Sequence, residues 1–159
     1  MNDKLLRIYL NDHLAGAALG LELARRAVSS NEGTTYSGFL TELERQIEED
    51  KEALERLMDT LGISQDRIKQ GAAWVAEKVG RLKPNGQVTG YSPLSRLLEL
   101  EGLMLGVTGK LGLWNALKDI ADHDPRLAVA DFGTLIERAI AQRSGLEEQR
   151  RQAAEEALT

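Results

Sequence analysis

Residues 92–121 read SPLSRLLELEGLMLGVTGKLGLWNALKDIA, and this stretch decides the fold class. It opens with Ser92 and Pro93, and serine at an N-cap before proline at the first helical position is a strong helix start signal. Apolar residues then recur at spacings of three and four, without the strict alternation of a strand. The stretch is therefore predicted to form one long α-helix that reaches about Ala121.

Three other segments show the same helical periodicity. They are predicted to run from about Asp3 to Ser29, from about Thr35 to Leu61, and from Asp124 to the end of the sequence with a break near Asp131. Gly62 is predicted to end the second helix, and residues 64–80 to form a shorter helix before an irregular loop. The apolar stripes of the first two helices are Leu10, Leu14, Ala17, Leu21, Ala24 and Val28, and Leu40, Leu43, Ile47, Leu54 and Leu57.

The lengths of the connections constrain how these helices are arranged. Helices of about 26 residues are each ~40 Å long, and the short first and last connections predict two antiparallel hairpins. The link from Gly62 to Ser92 is long enough to cross the bundle, so that helix three starts at the same end as helix two. In this respect the chain resembles the ferritin-like four-helix bundles over nearly its whole length. The predicted fold class is all-α: one domain over residues 1–159, a ferritin-like four-helix bundle with a long helix-containing crossover between helices two and three.

Composition excludes several classes of function. The 159 residues include 20 Lys and Arg against 25 Asp and Glu, and a net charge of -5 argues against a nucleic-acid partner. No apolar run approaches the ~20 residues of a membrane span, and the start is too polar for a signal peptide, so a cytoplasmic protein is expected. The absence of cysteine excludes disulfides and thiolate metal sites. Neither a phosphate loop nor a nucleophile elbow is present, and no catalytic residue is predicted.

The resemblance implies a di-iron or di-manganese carboxylate centre, which requires Glu-x-x-His on two helices. The two histidines are His13 and His123, and the residues three positions before them are Leu10 and Ile120. Helical angles also place six glutamates of helix two outside its apolar stripe: Glu42, Glu44, Glu48, Glu49, Glu52 and Glu55. We therefore expect no standard di-iron centre and no cofactor, and His123 is predicted to be an exposed turn residue.

Several polar residues fall at positions that should face the core. Asp50 interrupts the stripe of helix two, and Glu101 that of helix three, while Arg143 and Arg150 do the same in helix four. Because a buried charge must be paired, we predict Asp50 with His13 or Arg143, and Glu101 with Arg150 or Arg143. The predicted buried polar network comprises His13, Asp50, Glu101, Thr108, Arg143 and Arg150.

Two interpretations of this network stay open. In the first, internal salt bridges occupy the space where ferritin-like proteins hold metals, and the protein has a structural or interaction role. In the alternative, His13, Asp50 and Glu101 bind iron or manganese as an atypical metal site, or line a small-ligand pocket. An arginine among them favours the first, because its fixed positive charge repels a cation and satisfies the carboxylates.

Helix three also carries Gly102, Gly106, Gly109 and Gly112 at spacings of three or four. Each glycine costs a helix interior about 0.8–1 kcal/mol relative to alanine, so a compensating contact is expected. The predicted contact is close packing, either by the shorter helix around Gly71–Ala76 or by a second copy in a homodimer.

Overall fold

The computed structural model describes residues 2–65 and 91–159, and these residues form helices without any strand. α1 spans Asp3–Ser30, α2 Ser37–Thr60, α3 Pro93–Asp119 and α4 Phe132–Leu158. Short 3-10 helices at Ala121–His123 and Pro125–Val129 join α3 to α4. The all-α prediction is thus confirmed for the described residues, whereas the shorter helix predicted over 64–80 lies almost entirely outside them. Within the same residues, no helix has the length and apolar character needed to cross a membrane.

Two of the predicted helix boundaries rest on the expected local chemistry. The Ser92 hydroxyl accepts a hydrogen bond from the Ser95 backbone N–H at 3.1 Å, so Ser92 is the N-cap of α3. Gly62 follows α2 with a positive φ of 68°, and the N–H of Ile63 donates to the Met58 carbonyl at 2.9 Å. This Schellman-type ending requires a left-handed residue after the helix, which glycine supplies without strain.

The predicted start of the fourth helix is wrong by seven residues, because α4 begins at Phe132 and not at Pro125. Asp124 accepts the Arg126 N–H at 2.9 Å but caps only the short 3-10 helix, which ends where Ala130 becomes extended. Asp131 then accepts the Thr134 N–H at 3.1 Å and caps α4. The break predicted near Asp131 is therefore the true helix start.

Side-chain contacts fix the directions of the four helices. Asn31, just after α1, donates to the Tyr91 hydroxyl at 3.0 Å and accepts from Arg96 Nε at 2.6 Å, so α3 begins beside the turn between α1 and α2. α2 begins at that end as well, and α2 and α3 therefore run in the same direction. α4 returns to this end, where Gln152 Nε2 donates to Thr35 Oγ1 at 3.3 Å.

The hydrophobic core consists of two clusters, one near the α1–α2 turn and one near the opposite end. On α2, α3 and α4 the first cluster includes Ile47, Val107 and Leu146, and the second includes Leu54, Leu113 and Ala139. Asp50, Lys110 and Gln142 lie between these positions along the same three helices. The middle level of the bundle is thus polar, and the candidate site lies there.

Candidate functional site

Four side chains form a buried charged group that we call the central polar layer: Asp50, Lys110, Arg138 and Gln142. Asp50 on α2 is 1% exposed, and its carboxylate forms ion pairs with Lys110 of α3 and Arg138 of α4. Gln142 Nε2 also donates to Asp50 Oδ2 at 3.2 Å. One carboxylate of α2 thus links three helices at this level, through ion pairs to α3 and α4 and through the hydrogen bond from Gln142.

Further hydrogen bonds and ion pairs extend the central polar layer, although Arg138 Nε is buried without a hydrogen-bond partner among the described residues. Lys110 Nζ donates to Gln142 Oε1 at 2.6 Å, and Gln142 Nε2 donates to Gln46 Oε1 at 3.1 Å. Arg138 additionally pairs with the more exposed Glu49 at 3.0 Å. Burial lowers the pKa of Lys110, and the Asp50 carboxylate opposes that shift. The layer therefore holds its charges in mutually compensating pairs.

A cavity of about 480 Å³ lies beside this layer, between α1, α2 and α3. We call it the mid-bundle cavity. Its walls are largely apolar, with Leu54, Val107 and Leu113 among the lining residues. Asp50 and Lys110 contribute to its polar part. The cavity volume falls in the range of about 300–1,000 Å³ that is typical of small-molecule sites.

His13 does not pair with Asp50, so that prediction is wrong. His13 lines the same cavity, but its ring packs edge-on against Tyr9 with ring centroids 4.6 Å apart. The alternative partner, Arg143, is exposed on α4. Asp50 instead takes its cations from Lys110 and from Arg138, whose long side chains reach the carboxylate from α3 and α4.

The pKa of His13 is expected to lie below its usual value of 6.5, because burial disfavours the charged ring more than Asp12 favours it. Between that lowered pKa and 6.5 the folded state binds fewer protons than the unfolded state, so the free energy of unfolding should fall as pH drops through this window. NMR titration of the two histidines tests the shift, with His13→Gln identifying the resonance. The fall in the free energy of unfolding between that lowered pKa and 6.5 should disappear in His13→Gln and persist in His123→Gln. A pKa at or above 6.5 would contradict this expectation.

The predicted position of Glu101 in the core is also wrong. Its side chain is 45% exposed, and Arg150 Nη1 lies 3.9 Å from Glu101 Oε1, so the predicted pair forms at the surface. Arg150 makes its shorter contact with Glu147, at 2.8 Å. Thr108 is exposed as well, and its hydroxyl donates to the Met104 carbonyl at 2.8 Å. These side chains therefore belong to the outer surface of α3 and α4.

The sequence reasoning missed Lys110, Arg138 and Gln142 because it selected the wrong faces of α3 and α4. The buried stripe of α3 includes Leu100, Leu103, Val107 and Trp114, with Lys110 at the next step of the same pattern. The stripe of α4 includes Leu135, Ala139 and Leu146, with Gln142 between them. Spacings of three and four both continue a helical stripe. From Ala139, a step of four leads to Arg143, whereas a step of three leads to the buried Gln142.

The residues proposed as an atypical metal site do not fit a metal ion. Glu101 lies at the surface, and Asp50 is already neutralised by two cations. His13 lines the cavity together with Asp12 and Asp50, but the described lining contains no second imidazole. No group of three or more His, Asp or Glu side chains suited to a metal occurs in residues 2–65 and 91–159. The iron or manganese alternative therefore has no assembled donor set in this part of the chain.

The glycines of α3 were predicted to pack against the shorter helix or a second copy, but the described neighbour of the first of them belongs to α1. A Cβ built on Gly102 would lie 3.0 Å from Leu23 Cδ2, so α1 approaches closely there. At Gly106, Gly109 and Gly112 a Cβ would have no described neighbour within 4 Å, and the first two line the mid-bundle cavity. The proposed contact with Gly71–Ala76 lies outside the described residues.

A glycine contact that sequence reasoning missed joins α2 and α4. A Cβ built on Gly145 would lie 2.5 Å from Phe39 Cε2, so the glycine makes room for the aromatic ring. The position is one residue before the buried Leu146, but nothing in the α4 sequence singles out its facing partner.

A second buried charge lies near the α1–α2 turn. Glu99 on α3 is 2% exposed; it accepts from the Tyr91 hydroxyl at 2.7 Å and pairs with Arg26 Nε of α1 at 2.8 Å. Burial raises the pKa of the Glu99 carboxyl, although Tyr91 and Arg26 oppose this shift. Asn31, which is fully buried, connects the same Tyr91 hydroxyl to the end of α1. These contacts connect α3 to α1, just as the central polar layer connects α3 to α2 and α4.

Comparison with known proteins leaves the fold and the site to be interpreted from their own geometry. Scans against protein-family models, curated proteins and solved structures found no match to this chain.

Proposed function

We propose that this chain is a ferritin-like four-helix bundle that uses ion pairs in place of a metal centre, and that it acts as a non-enzymatic structural or interaction protein. The helix directions support the ferritin-like classification, because α2 and α3 begin at one end and a long link lies between them. The middle connection, residues 61–92, is much longer than the other two, residues 31–36 and 120–131, as expected for a bundle with one long crossover.

The observation that carries the proposal is the environment of Asp50. This carboxylate lies at the middle level of the bundle, where carboxylates of ferritin-like proteins bind metals. Here Lys110 and Arg138 already neutralise it. A divalent cation bound to Asp50 would lie beside two positive charges, one of which cannot be removed because arginine stays protonated.

Metal analysis of the purified protein tests this proposal. After incubation with iron(II), manganese(II) or zinc and removal of unbound metal, the protein is expected to retain far less than one equivalent. Its thermal unfolding midpoint should not change on addition of a chelator, because no bound metal contributes to folding. Retention of a full equivalent that is lost in Asp50→Asn but kept in Glu101→Ala would overturn the proposal.

An interaction role includes self-association, and an exposed apolar residue on α3 supports it. Leu105 is 76% exposed and adjoins Gly106, where a Cβ would have no described neighbour within 4 Å. A homodimer through this surface would bury the leucine. Sedimentation velocity should then show a concentration-dependent dimer that Leu105→Lys weakens and Val129→Lys, at another exposed apolar position, does not. A monomer at all concentrations would contradict the homodimer.

A further inference from the structure

Lys110 and Trp114, on one face of α3, each have an N–H bond for which the described residues provide no acceptor. The Lys110 ammonium group has three N–H bonds, of which Asp50 and Gln142 take two. Trp114 is 1% exposed, and its Nε1 is buried without a hydrogen-bond partner among the described residues. The two side chains are four positions apart, so they are neighbours on the helix surface, and both line the mid-bundle cavity.

The chemistry of these groups sets one requirement on a ligand. A lysine ammonium and an indole N–H can only donate hydrogen bonds, and an unpaired buried donor is unfavourable. A molecule in the cavity that satisfies either of them must therefore carry an acceptor. The rest of the molecule would meet apolar walls that include Leu54, Val107 and Leu113.

The charges around the cavity favour a neutral molecule. An anion would approach the carboxylate of Asp50, and a cation would approach the ammonium group of Lys110, which is part of the same wall. The second lysine of the lining, Lys51, is held by Glu55 at 2.6 Å. Asp12 also lines the cavity and has no ion pair among the described residues, but it is exposed, so water and salt screen its charge. The buried charges of the lining are all paired and select no ionic ligand.

The glycines on two facing helices give such a molecule space. Gly16 and Gly20 of α1 and Gly106 and Gly109 of α3 line the cavity, and a Cβ at any of them would have no described neighbour within 4 Å. Close packing by the described residues does not offset the helix cost of these glycines, and a bound molecule would supply contacts there. Among the described residues, nothing would stop larger side chains at these positions from entering the cavity.

We propose that the mid-bundle cavity binds a neutral, largely apolar small molecule that carries a carbonyl or similar acceptor oxygen, with Lys110 and Trp114 as the donors. This site goes beyond the structural or interaction role proposed above. It also does not depend on the metal question, because metal analysis and ligand binding are measured separately.

Fluorescence titration with prodan tests the site, because this probe is a neutral naphthalene ketone whose emission reports an apolar environment. One equivalent is expected to bind, and 2-(dimethylamino)naphthalene, which lacks the ketone, should bind about fivefold or more weakly, as expected for the loss of one hydrogen bond. The anionic probe 8-anilinonaphthalene-1-sulfonate should not compete with prodan. Absence of saturable prodan binding, or equal binding of the two naphthalenes, would overturn the proposal.

Matched glycine variants locate the binding site. Gly109→Leu fills the cavity and should weaken prodan binding at least about tenfold, a difference well above measurement error. Gly112→Leu, on the same helix but outside the cavity, is expected to bind prodan as the native chain does. Unfolding curves for both variants verify that they fold. Equal binding by the two variants would place the probe elsewhere and overturn the proposal.

Two further variants test the donors. Lys110→Met leaves Asp50 paired with Arg138, and Trp114→Phe keeps an aromatic ring without the N–H. At least one of them should reduce the preference for prodan over the naphthalene without the ketone by about fivefold, while leaving the affinity for the latter within about twofold. A preference that persists in both variants would exclude these donors. Loss of stability in Gly109→Leu, together with no probe binding to the native chain, would show that another segment or a second copy fills the cavity.

Discussion

Replacing Asp50 with alanine is expected to lower the free energy of unfolding by about 3 kcal/mol, the range found when one partner of a buried ion pair is removed. The reason is that this one carboxylate neutralises two cations. Lys110 and Arg138 would remain at the middle of the bundle, with side chains only 14% and 24% exposed, without their shared anion. Arg138 would keep Glu49, whereas Lys110 would keep only the Gln142 amide oxygen.

Urea unfolding of the native chain and variants measures this effect. Asp50→Ala combined with Lys110→Met should be less destabilised than Asp50→Ala alone, because the double variant no longer buries an unpaired ammonium group. The pKa of Lys110 already lies below its usual value of 10.5, so the folded variant would bind fewer protons than the unfolded chain in that region. The stability of Asp50→Ala should therefore recover partly as pH rises toward 10.5. A loss below about 1 kcal/mol at neutral pH would contradict the role assigned to Asp50.

The helices themselves could be predicted from the sequence because their signals are local. Ser92 with Pro93 marks the start of α3, and Gly62 marks the end of α2, where its φ is 68°. The fourth helix was misplaced because Asp124 and Asp131 both carry an N-cap signal. Which of two valid caps begins the long helix depends on the packing of the intervening residues, which a local pattern does not contain.

The face of each helix that turns toward the core was predicted less successfully than the helices themselves. Asp50 was correctly identified as buried, because the stripe of α2 is narrow and its opposite face is acidic. α3 is apolar on two sides, so the pattern allowed a face containing Glu101 as readily as the face that contains Lys110. The partner of Asp50 depends on which face of α3 turns inward. Choosing the wrong face of α3 gave Asp50 the wrong partners, although Asp50 itself was correctly predicted to be buried.

The same ambiguity concerns two acidic residues of α3, and it can be resolved by experiment. Glu99→Ala is expected to lower the free energy of unfolding by about 2 kcal/mol, because it leaves the Tyr91 hydroxyl and Arg26 without their shared acceptor. The loss should be smaller than that in Asp50→Ala. Arg26 is 36% exposed and can recover water, whereas the cations around Asp50 are more deeply buried.

Glu101→Ala is the matched control, since it removes the same side chain two residues further along the same helix. Glu101 is 45% exposed, and its distance of 3.9 Å from Arg150 is long for an ion pair, so its loss should change stability by less than about 0.5 kcal/mol. Urea unfolding of the two variants compares the two faces of α3 directly. If Glu101→Ala were the more destabilising, the face assigned by the sequence pattern would be the buried one. Lys110 would then turn away from Asp50, because Glu101 and Lys110 lie on opposite faces of α3 and a rotation that buries one exposes the other.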